Sequence, residues 1–318
     1  MTKRLPTEFA IVMNLHKMMI LQQSELPNVN SHNYFDEYSP CHLYFVCKRP
    51  RITINPEKFI VNEENLFLTF QVHKKGEITE HQMEFRNNLG TTEIKLESEY
   101  PNNKFKLVTE KGVWLDAKVS TFLQYHRHLP FDSEFLDLEI LYIGQSYGVD
   151  GARTAPDRLK SHSTLQGIYS EAIANNPDCE IWLALASFVQ VNIMMMDGRT
   201  KFTEDELDED GPRAIAVSNK LNWEGINEQQ KINFTEAALI RYFQPTYNKI
   251  YKESFPNPAH KTYSECYELD INSICIEMHT SEMINCRMYS ENTERSPFHM
   301  KDFLLQSKDD RKSIFEIV

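Results

Sequence analysis

At 318 residues the chain has room for two domains, or for one large domain with additions, and 41% hydrophobic with 25% charged residues is ordinary for a soluble globular protein. The net charge of −12 argues against a protein that grips nucleic acid over its whole surface. Residues 131–250 carry 10 Lys/Arg against 19 Asp/Glu, however, so the acidity is partly local and leaves room for a basic groove elsewhere. The longest apolar run, Ile181 to Met196, is broken by Ser187, Gln190 and Asn192, too short and too polar for a bilayer span. No secretory leader is recognisable, and the six cysteines contain no C-x-x-C pair. Reduced thiols, a cytoplasmic location, no membrane partner and no zinc site are expected.

In chain order, "PTEFAIVMNLHKMMILQQSE" (Pro6–Glu25) sets apolar residues at helical spacing after a Pro-Thr start, which predicts a helix whose Met-rich stripe packs in a core or on a partner. From about Arg51 to Tyr125 the texture changes. "LFLTFQV" (Leu66–Val72) alternates with period two, and the turn signals "HKKGE", "RNNLG", "YPNN" and "TEKG" divide the region into short strands, as in an antiparallel β unit. Leu138–Ile143 then reads as a strand closed by Gly144. "RTAPDRLKSH" starts a helix at Pro156 with Asp157 in its first turn, and Arg158 and His162 stand at i and i+4 on one face. "CEIWLALASF" (Cys179–Phe188) is a further strand. The acidic run "TEDELDEDG" (Thr203–Gly211) fails as an EF-hand loop, because Val217 occupies the position that needs a bidentate Glu; a solvated surface insertion is the simpler reading.

The helix in "NEQQKINFTEAALIRYFQPTYN" ends at Pro245. Glu236 lies on it with Leu239, Ile240 and Phe243 on the same side, so its carboxylate is turned inward, where it needs a partner. Considered alone, Arg158 and His162 are an ordinary surface pair and Glu236 one half of a buried salt bridge. The sharper reading makes Glu236 a metal ligand, with Asn248 twelve residues beyond it. After Asn248 comes the Pro-rich linker "FPNPAHK", then strand-like "SICIEMHT" and "NCRMYS".

Y-I-G ending a strand (Tyr142–Gly144), R-L-x-x-H on the next helix and E-A-A-L-I-R-Y-F-x-P-x-Y-N further on together resemble the GIY-YIG nuclease superfamily over about residues 120–250. The four-residue and twelve-residue spacings match the incision subunit of bacterial excision repair and some restriction enzymes. The resemblance implies a core of three antiparallel strands flanked by helices. It gives Glu236 to one Mg²⁺ or Mn²⁺, Arg158 to the scissile phosphate, Tyr142 and His162 to positioning and deprotonating the nucleophile, and Asn248 to holding the metal region. The tyrosine of the family's first strand commonly stands ten residues before the second, where this chain has Asp132. Tyr125 is the nearest upstream, reached through a longer hairpin turning at Leu129–Phe135, with His126 and His128 as alternatives. The literal G-I-Y at Gly167–Tyr169 lies downstream on a predicted helix and is a coincidence. Gln145 stands where many relatives carry lysine.

The expected fold class is therefore α+β: a GIY-YIG-like core, a small antiparallel sheet flanked by helices, with additional β-rich N- and C-terminal segments. The expected division is residues 1–120 as a helix plus β-rich recognition or partner domain, residues 121–250 as the nuclease domain with an acidic insertion near 197–225, and residues 251–318 as a β-rich segment packing on the first. The expected activity is endonucleolytic hydrolysis dependent on Mg²⁺ or Mn²⁺, with DNA ahead of RNA as the substrate. A restriction or anti-phage setting, with a protein partner or a second copy of the chain, follows by analogy alone. The alternative is an inactive module of the same kind, used for binding or assembly.

Overall fold

The computed structural model describes residues 5–32, 34–126, 133–147, 154–159, 163–196, 198, 201–306 and 314. Its first element corrects the first expectation: Thr7–Leu21 is a strand, β1, not a helix. Phe9, Ile11, Met13 and Leu15 alternate into one core, and a bulge between Leu15 and Lys17 advances the register, so the next residues of that face are Met18 and Ile20. Burial on both faces makes the segment almost continuously apolar, and the bulge converts its period of two into an apparent helical spacing.

The next strands are β2 (Leu43–Ile54), β3 (Ile60–Val61), β4 (Asn65–Lys74), β5 (Glu77–Arg86), β6 (Lys95–Glu97), β7 (Lys104–Thr109) and β8 (Gly112–Lys118). A short helix, α1 (Val119–Tyr125), leads on to β9 (Leu138–Gln145). Then come α2 (Ala155–Leu159), α3 (Ser163–Asn175), β10 (Cys179–Met196), α4 (Glu204–Asn219) and α5 (Glu228–Phe243). The chain continues through α6 (Ser264–Glu268), β11 (Ser273–His279), α7 (Ser281–Ile284), β12 (Met288–Ser290), β13 (Thr293–Ser296) and β14 (Phe298–Leu304).

The expected small sheet is not what forms. Eight strands run in the order β13-β12-β9-β2-β10-β1-β11-β14, with β3, β4 and β5 attached to the far half of β2, giving an 11-stranded sheet. Its two outer strands are consecutive in the chain, β13 ending at Ser296 and β14 starting at Phe298, so the eight-strand path curls into a nearly closed barrel. Closure explains why the fold departs from a small flanked sheet: strands from the first 54 residues and from the last 46 complete it on both sides of β9 and β10. Parallel pairing of β1 with β11, and of β9 with β12, joins segments far apart in sequence. No periodicity within one segment can announce such pairing.

One face of the sheet packs Phe45, Ile140, Trp182 and Phe9 against Phe234, Ala238 and Leu239 of α5. The opposite face packs Tyr44, Val46, Leu141 and Leu183 against Ala155 and Leu159 of α2 and Leu165 and Ile168 of α3. A third core, with Ile52, Phe70, Phe85, Phe105 and Leu123, lies among β4, β5, the separate β6-β7-β8 sheet and α1. The acidic run is helical. Thr203 Oγ1 accepts from Glu206 N (3.3 Å) while Thr203 N donates to the Glu206 carboxylate (2.7 Å), a capping box that starts α4. All six cysteines are free, and five of them are buried. Among the described residues no helix is long and apolar enough to cross a membrane.

Candidate active site

Gly144 fixes the geometry at the end of β9. A Cβ built on it would sit 2.5 Å from Tyr44 Oη and 2.8 Å from the Tyr142 ring, so only glycine lets the two tyrosines close over this point. Tyr44 pairs directly with Gly144 across the antiparallel β2–β9 ladder, and its ring centroid is 6.2 Å from that of Tyr142. The two side chains share a hydrogen bond.

Arg158 reaches this pair because α2 is docked on the segment that leads into β2: Ala155 N donates to Cys41 O (2.9 Å), and Ala155 and Leu159 are buried beside Tyr44. Asp157 fixes the helix start, accepting from Thr154 Oγ1 at 2.7 Å. The Arg158 guanidinium donates to Tyr44, while its Nε is buried with no hydrogen-bond partner.

Glu236 comes from the other side, on α5. Asn227 caps that helix, accepting from Gln229 N (3.0 Å) and Gln230 N (3.3 Å), and Gln244 ends it in a left-handed turn before Pro245. Glu236 keeps part of its side chain open to solvent, yet its carboxyl lies among protein groups. Burial pushes it up to about 7, against hydrogen bonds from Gln145 and the nearby Arg158 charge. Gln145 also donates to Asn233 Oδ1 (2.6 Å), and Asn233 donates onward to Thr262 O (3.0 Å), so the amides beside the carboxyl are fixed. Burial likewise raises the phenols of Tyr44 and Tyr142, with the charges of Glu236 and Arg158 acting on both in opposite senses.

Asn248 does not enter the cluster; it holds the strand beneath it. Its Oδ1 accepts from Ile143 N and its Nδ2 donates to Ile143 O, both at 2.8 Å, while Tyr247 N donates to Leu141 O (3.0 Å). Residues 247–248 thus stand in for a neighbouring strand along the outer edge of β9, beyond the point where β12 stops pairing.

Of the residues expected from sequence, Tyr142, Arg158 and Glu236 are brought together and Asn248 braces them. His162 lies outside the described residues. Tyr125 is not part of the cluster. It is 67% exposed at the end of α1 and lines a cavity of about 400 Å³ with Met19, Glu25 and Trp182. The tyrosine opposite Tyr142 is Tyr44. The sequence signal for it is faint, an apolar residue and a tyrosine opening a strand in "HLYFV", and the β3–β8 unit inserted between β2 and β9 puts it 98 residues before its partner rather than ten. Among the described residues no group of three His, Cys, Asp or Glu side chains gathers, so metal binding here would rest on Glu236. Comparison with protein-family models, curated proteins and solved structures finds no match to the chain.

Proposed function

We propose that this protein is a divalent-cation-dependent nuclease that hydrolyses phosphodiester bonds, in DNA before RNA. The observation that carries the reading is the convergence of one carboxyl, one guanidinium and two phenols from four separate segments of the chain. This is the residue assignment of the GIY-YIG resemblance, with Tyr44 in the place first given to Tyr125.

Glu236 offers one carboxyl, with Gln145 amide donors and the Arg158 charge beside it, so a hard cation such as Mg²⁺ or Mn²⁺ would take its protein oxygen from Glu236 and the rest of its shell from water and phosphate oxygens. Glu236 would hold that ion, which when bound would offset charge on the phosphate oxygens. Arg158 meets the scissile phosphate. The guanidinium presents its charge while its bond to Tyr44 keeps its plane fixed. Burial keeps Tyr44 and Tyr142 protonated near neutrality, so their hydroxyls donate and orient a water molecule rather than attack as phenolates. His162, four residues after Arg158 in the sequence and outside the described residues, would take the proton from the attacking water.

The test uses the purified chain with supercoiled plasmid, linear duplex, single-stranded DNA and RNA, in Mg²⁺, in Mn²⁺ and in chelator, beside Glu236→Ala. Cutting that requires the cation and disappears in the variant is the expected result. A folded wild-type chain that cuts none of the four substrates returns the protein to a binding or assembly role.

A further inference from the structure

We infer that the segment Gln244–Lys252 is the edge along which a nucleic-acid strand lies, with Lys249 and Lys252 on its backbone phosphates; this rests on the nuclease reading above. The segment, "QPTYNKIYK", contains no Asp or Glu in a chain that has 46 of them. It is bound to the outer edge of β9 through Tyr247 and Asn248, at Leu141 and Ile143, the residues on either side of Tyr142. Both ends are set in left-handed backbone, Gln244 at φ 47° and Tyr251 at φ 68°. A bulky aromatic residue adopts that conformation only when its surroundings impose it.

The Tyr251 ring is held by His260, with centroids 5.6 Å apart, and His260 is bonded in turn to Tyr263 Oη (2.8 Å). Arg241 donates to Lys252 O and pairs with Glu253, the first carboxylate after the segment, so that charge is already neutralised where the segment ends. Lys249 and Lys252 have no ion-pair partner among the described residues. Lys249 and Ile250 are exposed, Ile250 by 67%.

A basic edge fixed at both ends, with exposed Ile250 as a ledge for a sugar or base face, fits a phosphate backbone followed without base readout. Lys249 and Lys252, without ion-pair partners among the described residues, give a chain of net charge −12 a local contact for a polyanion.

The experiment measures binding of fluorescent single-stranded and duplex DNA and RNA to Glu236→Gln, which separates affinity from cutting, across a series of salt concentrations. Adding Lys249→Ala and Lys252→Ala is expected to weaken binding to a similar degree for unrelated sequences and to lower the salt slope by about one for each lysine. Lys249→Arg with Lys252→Arg is expected to restore both. Unchanged affinity and slope in the alanine pair, in a chain whose wild type cuts nucleic acid, overturns the inference and leaves the nuclease reading standing. Lysine-dependent binding by a wild-type chain that never cuts does the reverse. Absence of binding to every probe overturns the inference outright.

Discussion

Glu236 is a carboxyl held far from its ordinary chemistry. Its carboxyl titrates near 7 in the folded chain, mainly through burial, against a value near 4.5 when exposed. The folded state therefore favours the protonated form: the carboxyl adds no penalty below about pH 4.5, and stability falls as pH rises from there through about 7. A shift of that size corresponds to about 3 kcal/mol above pH 7. Glu236→Gln keeps the shape and removes the titration. It is expected to be more stable than wild type by about 2–3 kcal/mol at pH 8, with a much smaller difference at pH 5, in urea unfolding at both values. An equal gain at the two pH values would show that burial of this carboxyl is not the cause.

Among the elements, the strap that follows α5 does the most for the site while touching none of the chemistry. Asn248→Ala removes both side-chain bonds to Ile143 and leaves a buried N–H and a buried C=O of β9 without them. A loss of about 2–4 kcal/mol is expected in denaturant unfolding, together with faster amide exchange at Ile143. Retention of full stability and slow exchange would mean that the strand edge is held by something else. How far the elements could be read from sequence differs for physical reasons. The strand from Leu138, the helix carrying Glu236 and the start of α2 were legible, because an apolar run, a helix-ending proline and a Pro-Asp pair are local signals, although the strand runs through Gly144 to Gln145 instead of closing there. The strand at Thr7–Leu21 was not, because it is buried on both faces and carries a bulge. Nor was the pairing of Tyr44 with Gly144, since the β3–β8 unit separates the two strands in sequence, and hydrophobic patterning carries no record of the partner.

At the scale of the whole molecule, charge and topology act separately. The acidic excess includes the solvated first half of α4, while the cluster is assembled by the barrel. In that barrel β1 lies between β10 and β11, with fourteen residue pairs to the first and five to the second. The order has a consequence for how the protein is made. Most of the putting-together must wait: Tyr44, Arg158 and Glu236 are all synthesised before β11 exists to flank β1 and β12 exists to flank β9. Non-local pairings of this kind form slowly, after the loop entropy they carry has been met. A chain stopped at Asn257, before β11, is therefore expected to lose protease resistance within Thr7–Leu21, measured by limited proteolysis against the full chain; equal resistance would show that β10 alone secures β1. On the nuclease proposal, the cluster would thus close only after β11 and β12 have been made, so that a shorter nascent chain carries no assembled site against the RNA of its ribosome.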